Sequence, residues 1–346
     1  MMAGGPGLAI LSALLFGAST PLAKLLLGDL PPLLLAGLLY AGSGCGLWLV
    51  RWARPRAQHE TPLGRRDIPW LAGAVALGGV AGPVLLLSGL RATPAAVASL
   101  LLNLEGVFTA LLAWFVFREN FDRRIALGML LIVAGGALLS WQQGPMGAPA
   151  LGVAAIAAAC LCWALDNNLT QRISGGDPLQ VAAIKGSVAG AVNLGAALAA
   201  GADMPRAGMA AAALLVGLFG YGVSLVLFVL ALRHLGSART GAYFSLAPFF
   251  GAAASLALLS ERIGPGFGVA AVLMGAGVWL HLTERHVHEH AHEPIEHSHL
   301  HVHDEHHRHE HAPAAPSGEP HSHAHGHQTL PHSHPHYPDL HHRHRH

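Results

Sequence analysis

Two apolar stretches of the chain align with each other without gaps. They are LLNLEGVFTALLAWFVFRENF, at residues 101–121, and YFSLAPFFGAAASLALLSERI, at residues 243–263. The full alignment joins 90–119 to 232–261 and contains seven identities. The chain therefore looks like a duplicated unit in which these two stretches occupy the same place.

The body of the chain on either side of these stretches consists of apolar runs. We count ten runs of 19 to 25 residues and name them spans 1 to 10. At 1.5 Å per residue, each is long enough to cross a hydrocarbon core of about 30 Å. The runs lie near 8–27, 32–52, 68–90, 95–117, 123–141, 150–171, 178–200, 208–232, 237–259 and 264–282.

The two aligned stretches belong to spans 4 and 9, so each copy of the unit holds five spans. Because five is odd, the second copy must enter the membrane in the opposite orientation. Inverted repeats of this kind are typical of secondary transporters. The sequence therefore predicts an all-α polytopic membrane protein with two inverted five-helix repeats, at 8–141 and 150–282, and a tail at 284–346.

Arginine is distributed unequally between the connectors. Those after spans 2, 4, 6 and 8 carry eleven arginines, whereas the opposite side carries three. By the positive-inside rule, the arginine-rich side faces the cytoplasm. We therefore expect a multi-pass protein of the inner (plasma) membrane, with both termini in the cytoplasm.

The body contains few residues suited to enzymatic chemistry or to nucleic-acid binding. It has no zinc-finger spacing, no phosphate-binding glycine loop and no candidate Ser-His-Asp set. Cys160 and Cys162 point about 200° apart on a helix, so they cannot bind one ion from one face. We interpret them as packing residues, and we expect neither an enzyme nor a nucleic-acid partner.

The tail is rich in histidine and contains a repeat. Residues 286–346 hold 23 of the 26 histidines, and 297–311 aligns with 332–346 at ten of fifteen positions. Neutral imidazole is a preferred ligand of Ni, Co and Zn. The low apolar content predicts a tail that is disordered without metal. Two alternatives are a solubilising tail and an appended purification tag, although a tag would not repeat an internal segment in register.

We predict that the tail binds a divalent transition metal, Ni, Co or Zn, and that no further cofactor is required. The candidate ligands are the positions that are histidine in both aligned segments. These are His297, His299, His301, His306, His307, His309, His311, His332, His334, His336, His341, His342, His344 and His346.

Glu105 is the first candidate for a transport residue within the body. It follows Pro94 by eleven residues, about 16 Å along the helix axis, which places it close to the bilayer centre. An ionisable group at that depth is costly unless it is paired, protonated or hydrated. It is therefore either a proton or cation site or a protonated carboxyl bonded to a neighbouring helix. Asn103 points to another face and is expected to orient a neighbour.

A second group of candidates lies in span 6. Asp166, Asn167 and Asn168 match Ser19, Thr20 and Pro21 of span 1 in the repeat. Polar or proline residues at equivalent places in two repeats predict locally opened helices whose carbonyls can line a site.

Lys185 of span 7 is expected to lie at a depth similar to that of Asp166. The two residues are about 10 Å and 9 Å from the same membrane edge, so an ion pair between them is sterically plausible. The pair could hold spans 6 and 7 together and do nothing more. Alternatively, an incoming cation could displace Lys185 from Asp166.

The body resembles EamA-type members of the drug/metabolite transporter superfamily over about residues 8–282. The residues that carry the resemblance are LLFGASTPLAKL at 14–25, LCWALDNNLTQRI at 161–173, the two aligned stretches, GMLLIVAGG at 128–136 and AVLMGAGVW at 271–279. The resemblance implies a ten-helix exporter with two EamA repeats, usually driven by proton exchange. It also implies acidic residues at the ends of spans 4 and 9, here Glu119 and Glu261.

The first repeat departs from the family pattern next to Glu105. A proline usual in spans 4 and 9 is kept as Pro248, but the matching position in span 4 is Gly106. The departure singles out Glu105. The histidine-rich tail lies outside the core pattern and resembles the ends of some bacterial transporters and metal-handling proteins.

The favoured function is secondary transport that expels a divalent metal, Ni or Co with Zn as a further candidate, in exchange for protons. One alternative is a metabolite or drug exporter whose tail is a metal-responsive regulator. Another is a membrane-anchored metal store whose body transports nothing. The sequence leaves open the direction of transport and whether the chain forms a homodimer.

Overall fold

A computed structural model of the chain describes ten helical spans and four short strands. The described residues are 5–53, 63–117, 123–142, 148–173, 177–228, 230–231, 240, 243–261, 263–282, 287–291, 296–301, 321–326 and 331–335. Spans 1, 2, 5, 6, 7 and 10 are the α-helices Gly5–Leu26, Pro32–Ala53, Arg123–Gln142, Ala148–Arg172, Pro178–Ala199 and Gly266–Leu282.

The remaining spans are composite. Span 3 joins a 3-10 turn, an α-helix, a π-helix and an α-helix at Arg65–Asp67, Ile68–Ala74, Val75–Ala81 and Gly82–Ala92. Span 4 consists of Ala95–Leu101 and Leu104–Phe117, and span 8 begins with Ala207–Gly217 and the π-helix Leu218–Val223. In span 9, the described α-helix is Ala247–Leu259.

The helices confirm the prediction of an all-α polytopic membrane protein. Among the described residues, eight helices are long and apolar enough to cross a membrane, and those of spans 9 and 10 are apolar but shorter. The helix bounds follow the predicted runs closely. This agreement is expected, because hydropathy and helix rise together determine where a spanning helix begins and ends.

Matching contacts in the two repeats show their inverted relationship. At the crossing of spans 5 and 10, Gly135 faces Met274 and Ala270. In the same crossing, Gly277 faces Ile132 and the Gly128 carbonyl. Gly135, Ile132 and Gly128 each lie 142 positions before their counterparts Gly277, Met274 and Ala270. The contacts at this crossing are therefore the same when the two repeats are exchanged.

Spans 2 and 7 also cross at glycines, and this crossing joins the repeats most extensively. A Cβ atom added at Gly186 would lie 2.8 Å from the Cα of Gly44, and one added at Gly190 would lie 2.8 Å from the Cα of Ala41. The two backbones therefore touch directly. Small residues permit such an approach, as interfaces between membrane helices require.

The helical irregularities also occur in equivalent pairs. The π-helix of span 3 corresponds to that of span 8, and the turn at 102–103 in span 4 corresponds to the turn at 245–246 in span 9. The predicted openings in spans 1 and 6 are wrong, because both spans are continuous α-helices. Pro21 removes only one backbone donor, and the polar side chains of span 6 bond to side chains or to their own helix instead of opening its backbone.

The tail contains two antiparallel strand pairs. β1 (Val287–Ala291) pairs with β4 (Pro331–Pro335), and β2 (Glu296–His301) pairs with β3 (His321–Gly326). The expectation of a tail without regular structure is not met at these four segments. The alternation of histidine with other residues is the two-residue period of a strand, and pairing satisfies the backbone groups that face the partner strand.

The strands contain some of the histidines predicted to bind metal. His297, His299 and His301 lie on β2, whereas His332 and His334 lie on β4. The remaining predicted ligands lie outside the described residues: His306, His307, His309, His311, His336, His341, His342, His344 and His346.

Candidate transport site

Asp166 and Lys185 form the ion pair that the sequence made sterically plausible. The Lys185 Nζ lies 2.6 Å and 2.8 Å from the two carboxylate oxygens of Asp166. Thr170 donates to Asp166 over 2.9 Å and accepts from Lys185 over 3.2 Å. The side chains of Lys185 and Asp166 are only 13% and 9% exposed, so water screens the pair weakly.

The helices place these three groups together by simple periodicity. Asp166 and Thr170 are four residues apart in span 6, so they share one face of that helix. Lys185 reaches them from the neighbouring span 7. Its position beside a carboxylate and a hydroxyl provides the partners that a buried ammonium group needs.

The π-helix of span 3 forms the wall behind Asp166. Asp166 packs against Gly78, where any Cβ atom would overlap the carboxylate. The Gly78 carbonyl accepts from Tyr40 over 2.7 Å and from Trp163 over 3.1 Å. A π-helix leaves carbonyls without their usual helical partners, and this one is satisfied by side chains of spans 2 and 6.

The next carbonyl of the π-helix is satisfied from span 7. Asn193 donates its amide to the Gly79 oxygen over 3.0 Å, and its side chain is fully buried. We did not predict roles for Tyr40, Asn193 or Gly78. The available signals were the Gly78–Gly79 pair and a lone amide within an apolar span.

Glu105 is connected to the same site through Asn167. The Asn167 amide donates to the Glu105 carboxylate over 2.7 Å. Glu105 is half-buried and Asn167 is exposed, so the contact has access to the surface of the helical bundle. The turn at 102–103 interrupts span 4 immediately before Glu105. The predicted residues therefore form one group in which Asn167 joins Glu105 by a hydrogen bond and is the chain neighbour of Asp166 in span 6.

Two predicted residues do not join this group. Asn103 donates to the Leu100 carbonyl of its own helix over 2.9 Å, which stabilises the interruption in span 4. Asn168 donates to the Ala164 carbonyl of span 6 over 2.8 Å. Both side chains therefore have local roles. The departure at Gly106 leaves open space next to the backbone, because a Cβ atom added there would meet nothing within 4 Å.

The ligand set for a metal inside the bundle is sparse. Among the described residues, no three side chains of His, Cys, Asp or Glu come together. The site offers two carboxylates, together with amide and hydroxyl groups. Such a group suits a weakly held or transient cation better than a permanently coordinated transition metal.

The region related to the Asp166 site by the repeat lies between spans 1 and 8, and it is apolar. Ser19 of span 1 packs on Gly220 of span 8, with 2.6 Å from a Cβ atom added at Gly220 to the Ser19 Cβ. Beside this contact lies a cavity of about 260 Å³. It is lined by Leu15, Ala18, Ser19, Leu22, Leu215, Val216, Phe219 and Gly220. The repeats thus share a backbone arrangement, but only the region around Asp166 is charged.

Two further charged groups lie at an end of the bundle. Lys24 donates to the Leu90 carbonyl and, over 2.9 Å, to the Thr93 carbonyl. Glu261 accepts from the backbone N–H groups of Ala95 and Ala96. Lys24 is therefore held by backbone carbonyls at the end of span 3 and in the turn that follows it. Glu119, the counterpart of Glu261, lies outside the described residues.

Comparison with known proteins agrees with this architecture. A relative named as an uncharacterized transporter, from Methanothermobacter thermautotrophicus, is 31% identical over 290 residues, covering 78% of this chain and 84% of that protein. A probable 4-amino-4-deoxy-L-arabinose-phosphoundecaprenol flippase subunit ArnE from Pseudomonas paraeruginosa is 43% identical over 114 residues, covering 32% of this chain and 96% of that subunit.

A solved crystal structure shares the fold. It matches with a TM-score of 0.60 at 18% identity and covers 80% of this chain and 95% of the other. The sequence model of the EamA-like transporter family matches residues 4–141 and 150–283, which together include both repeats. The chain therefore belongs to the EamA-like transporter family.

Proposed function

We propose that the protein is a proton-coupled secondary transporter that exports a divalent transition metal, Ni or Co, with Zn as a further candidate. The observation that carries the proposal is the Asp166–Lys185 pair inside the helical bundle. The Asp166 carboxylate stays compensated when an incoming cation takes the place of the ammonium group. Glu105, joined to the site through Asn167, supplies a second ionisable group.

The proposed cycle uses competition for Asp166. A cation entering the site takes the place of Lys185 at the carboxylate, and the released ammonium is held by Thr170 or by water. Glu105 gives up a proton as the cation enters and takes up another after it has left. The displaced Lys185 gives up a second proton, so two protons leave for each divalent cation that enters. The total charge of the site is then unchanged, which keeps the cost of burying it low.

The histidine-rich tail would raise the metal concentration at the mouth of the route. We place both termini in the cytoplasm of the inner-membrane protein, so the tail would collect metal on the side from which it is exported. Its imidazoles bind metal when neutral and release it when protonated. The tail thus assists delivery, whereas selection within the bundle depends on the carboxylates.

Flux into inverted membrane vesicles tests this function. Uptake of Ni²⁺, Co²⁺ and Zn²⁺ is measured with and without an imposed pH gradient, in vesicles carrying the wild type, Glu105→Gln, Asp166→Asn or Asp203→Asn. We expect gradient-driven uptake that is lost in the first two variants. Asp203, an exposed residue between spans 7 and 8, is the matched control for removal of a carboxylate.

Metal tolerance of cells that carry the same variants, measured beside the vesicle flux, separates a transporter from a membrane-anchored metal store. If the body only anchors the tail, cells carrying Glu105→Gln or Asp166→Asn will tolerate metal as well as the wild type. Normal tolerance in both variants, together with gradient-independent vesicle uptake, would contradict the proposal. Loss of tolerance on removal of the tail alone would not distinguish the two functions.

A second candidate function is the translocation of an amphiphile. It is favoured by the apolar cavity between spans 1 and 8 and by the relative named as a probable 4-amino-4-deoxy-L-arabinose-phosphoundecaprenol flippase subunit. Asp166 could bind an amine and Lys185 a phosphate, while the cavity accepts part of the apolar chain. Translocation of a fluorescent aminophospholipid in proteoliposomes, unchanged by metal once the tail is removed, would support this function over the first.

A further inference from the structure

The short turn that joins spans 3 and 4 is held from two sides. Glu261 accepts from the N–H of Ala95 over 2.6 Å and from the N–H of Ala96 over 2.8 Å. Lys24 donates to the Thr93 carbonyl over 2.9 Å on the other side of Pro94. A carboxylate at a helix start and an ammonium at a helix end both complement the helix dipole. We call this end of the bundle the Pro94 end.

The backbone preceding Glu261 is shaped to deliver its side chain. Span 9 ends at Leu259, and Ser260 then adopts a left-handed conformation with φ of 49°. Among the described residues, Ser260 is the only non-glycine residue with positive φ. Such a conformation is unfavourable for serine and persists when surrounding contacts hold it. Here it turns the chain back so that Glu261 reaches the start of span 4.

Of these contacts, the bonds of Glu261 cross between the repeats, whereas Lys24 and its acceptor carbonyls at Leu90 and Thr93 all lie in the first repeat. Lys24 belongs to span 1 of the first repeat, whereas Glu261 follows span 9 of the second. Below them, spans 1, 4 and 9 are closely packed, since a Cβ atom added at Gly251 would lie 2.8 Å from the Ser99 Oγ and 2.9 Å from the Gly17 carbonyl. Ser99 is fully buried in this contact.

We infer that Glu261 and Lys24 form a latch that closes the transport route at the Pro94 end. Opening at that end requires span 9 to separate from span 4, and this movement breaks both hydrogen bonds of Glu261. The structure is then a state closed at the Pro94 end, in which the exposed Asn167 belongs to the accessible side. The inference does not depend on which solute is carried.

Cysteine labelling in detergent tests the latch without knowledge of the substrate. In a background with Cys45, Cys160 and Cys162 replaced by alanine, Ser99→Cys reports on the closed side and Asn167→Cys on the accessible side. We expect Glu261→Gln to increase maleimide labelling at position 99 by roughly tenfold, the effect of losing one charge-assisted hydrogen bond. Labelling at position 167 should fall at the same time.

The opposite changes in labelling expected at positions 99 and 167 distinguish a latch from a contact that only stabilises the fold. A residue that only stabilises the fold would raise labelling at both positions when removed, and that result would overturn the inference. Unchanged labelling at both positions would also overturn it. Lys24→Met should act in the same direction as Glu261→Gln, whereas Asp203→Asn, the control for loss of an exposed carboxylate, should have no effect.

A shorter acidic side chain keeps the test decisive if Glu261→Gln does not fold. Glu261→Asp retains the charge but cannot reach both N–H groups from the same backbone position. We expect an intermediate shift of both reporters toward the open state. Wild-type labelling at both positions in Glu261→Asp would show that the carboxylate contact does not control the Pro94 end. Failure of metal flux with an intact reciprocal shift would contradict the proposed function and leave the latch standing.

Discussion

Asp166 in span 6 packs directly on Gly78 in span 3, and the repeat-related contact joins Ser19 in span 1 to Gly220 in span 8. Both glycines lie in π-helices. The duplicated unit therefore keeps one backbone arrangement in two places but supplies it with different side chains. One copy presents a carboxylate paired with Lys185, and the other lines an apolar cavity.

Adding a methyl group at Gly78 should disable the site. Gly78→Ala places a Cβ atom where it would overlap the Asp166 carboxylate, so either span 6 or span 3 must shift. We expect transport to be lost and thermal stability in detergent to fall by roughly 1–3 kcal/mol, as is usual for overpacking.

The matched control for this substitution is Gly195→Ala in span 7. Gly195 is helical and a Cβ atom there would meet nothing within 4 Å. We expect wild-type transport and equal or slightly higher stability, because alanine favours a helix over glycine by about 1 kcal/mol. Equal behaviour of the two variants would contradict the role assigned to Gly78.

The Asp166–Lys185 pair predicts a partial rescue. Asp166→Asn leaves the Lys185 ammonium buried without a counter-charge, which typically costs about 3 kcal/mol or more. The double variant Asp166→Asn with Lys185→Met removes both charges and should regain most of the lost stability, measured as the thermal midpoint. Neither variant should transport. A double variant that transports normally would show that the pair only holds spans 6 and 7 together.

Removing the side-chain donors to the carbonyls of the span 3 π-helix should reduce the free energy of unfolding by unequal amounts at two positions. Tyr40→Phe removes one of two donors to the Gly78 oxygen and should cost about 1 kcal/mol. Asn193→Leu removes the described side-chain donor to the Gly79 oxygen, so a buried carbonyl loses its partner at about 1–3 kcal/mol. Thermal unfolding of the two purified variants checks the order. A larger loss in Tyr40→Phe would contradict it.

The tail predicts metal binding that depends on pH. We expect the full chain to bind Ni²⁺ at pH 7 and a chain ending at residue 283 to bind little, as measured by equilibrium dialysis. Imidazole binds metal in its neutral form, and its unperturbed pKa is about 6.5. Binding should therefore be present above that value and be lost as the pH falls toward 5. Equal Ni²⁺ binding at pH 5 and pH 7 would exclude histidine as the principal ligand.

The spans and the central ion pair could be predicted because both depend on position along a helix. Apolar length determines each span, and the rise per residue gives the depth of Asp166 and Lys185. The hydrogen bond between Glu105 and Asn167 could not be predicted, because it depends on how spans 4 and 6 are rotated about their own axes. Sequence alone gives depth but not rotation.

The irregular helices were predicted in the wrong spans for a physical reason. Pro21 and the Asp166–Asn168 run appeared to be helix-opening signals, yet both helices are continuous. The π-helices instead occur where Gly78 and Gly220 allow neighbouring helices to approach the backbone closely. That requirement arises from packing between spans, so it is not visible within any single span.

The contacts at the Pro94 end were missed for a related reason. No role was predicted for Lys24, and Glu261 was expected from the family pattern without a partner. Their partners lie 69 and 166 residues away along the chain, in the turn at Thr93 and Ala95. A hydrogen bond between a side chain and a backbone group does not require a second charged residue. No pattern of charges in the sequence could therefore have indicated these contacts.

The crossing of spans 2 and 7 at Gly44 and Gly186 limits how the two repeats can move. Backbone touches backbone there, with no long side chains between the helices that could rearrange to let them slide. The contact therefore opposes sliding of one helix along the other, and a change in the crossing angle is the motion that it permits. A small change of angle at this point becomes a much larger displacement at the distant ends of the helices, which act as levers.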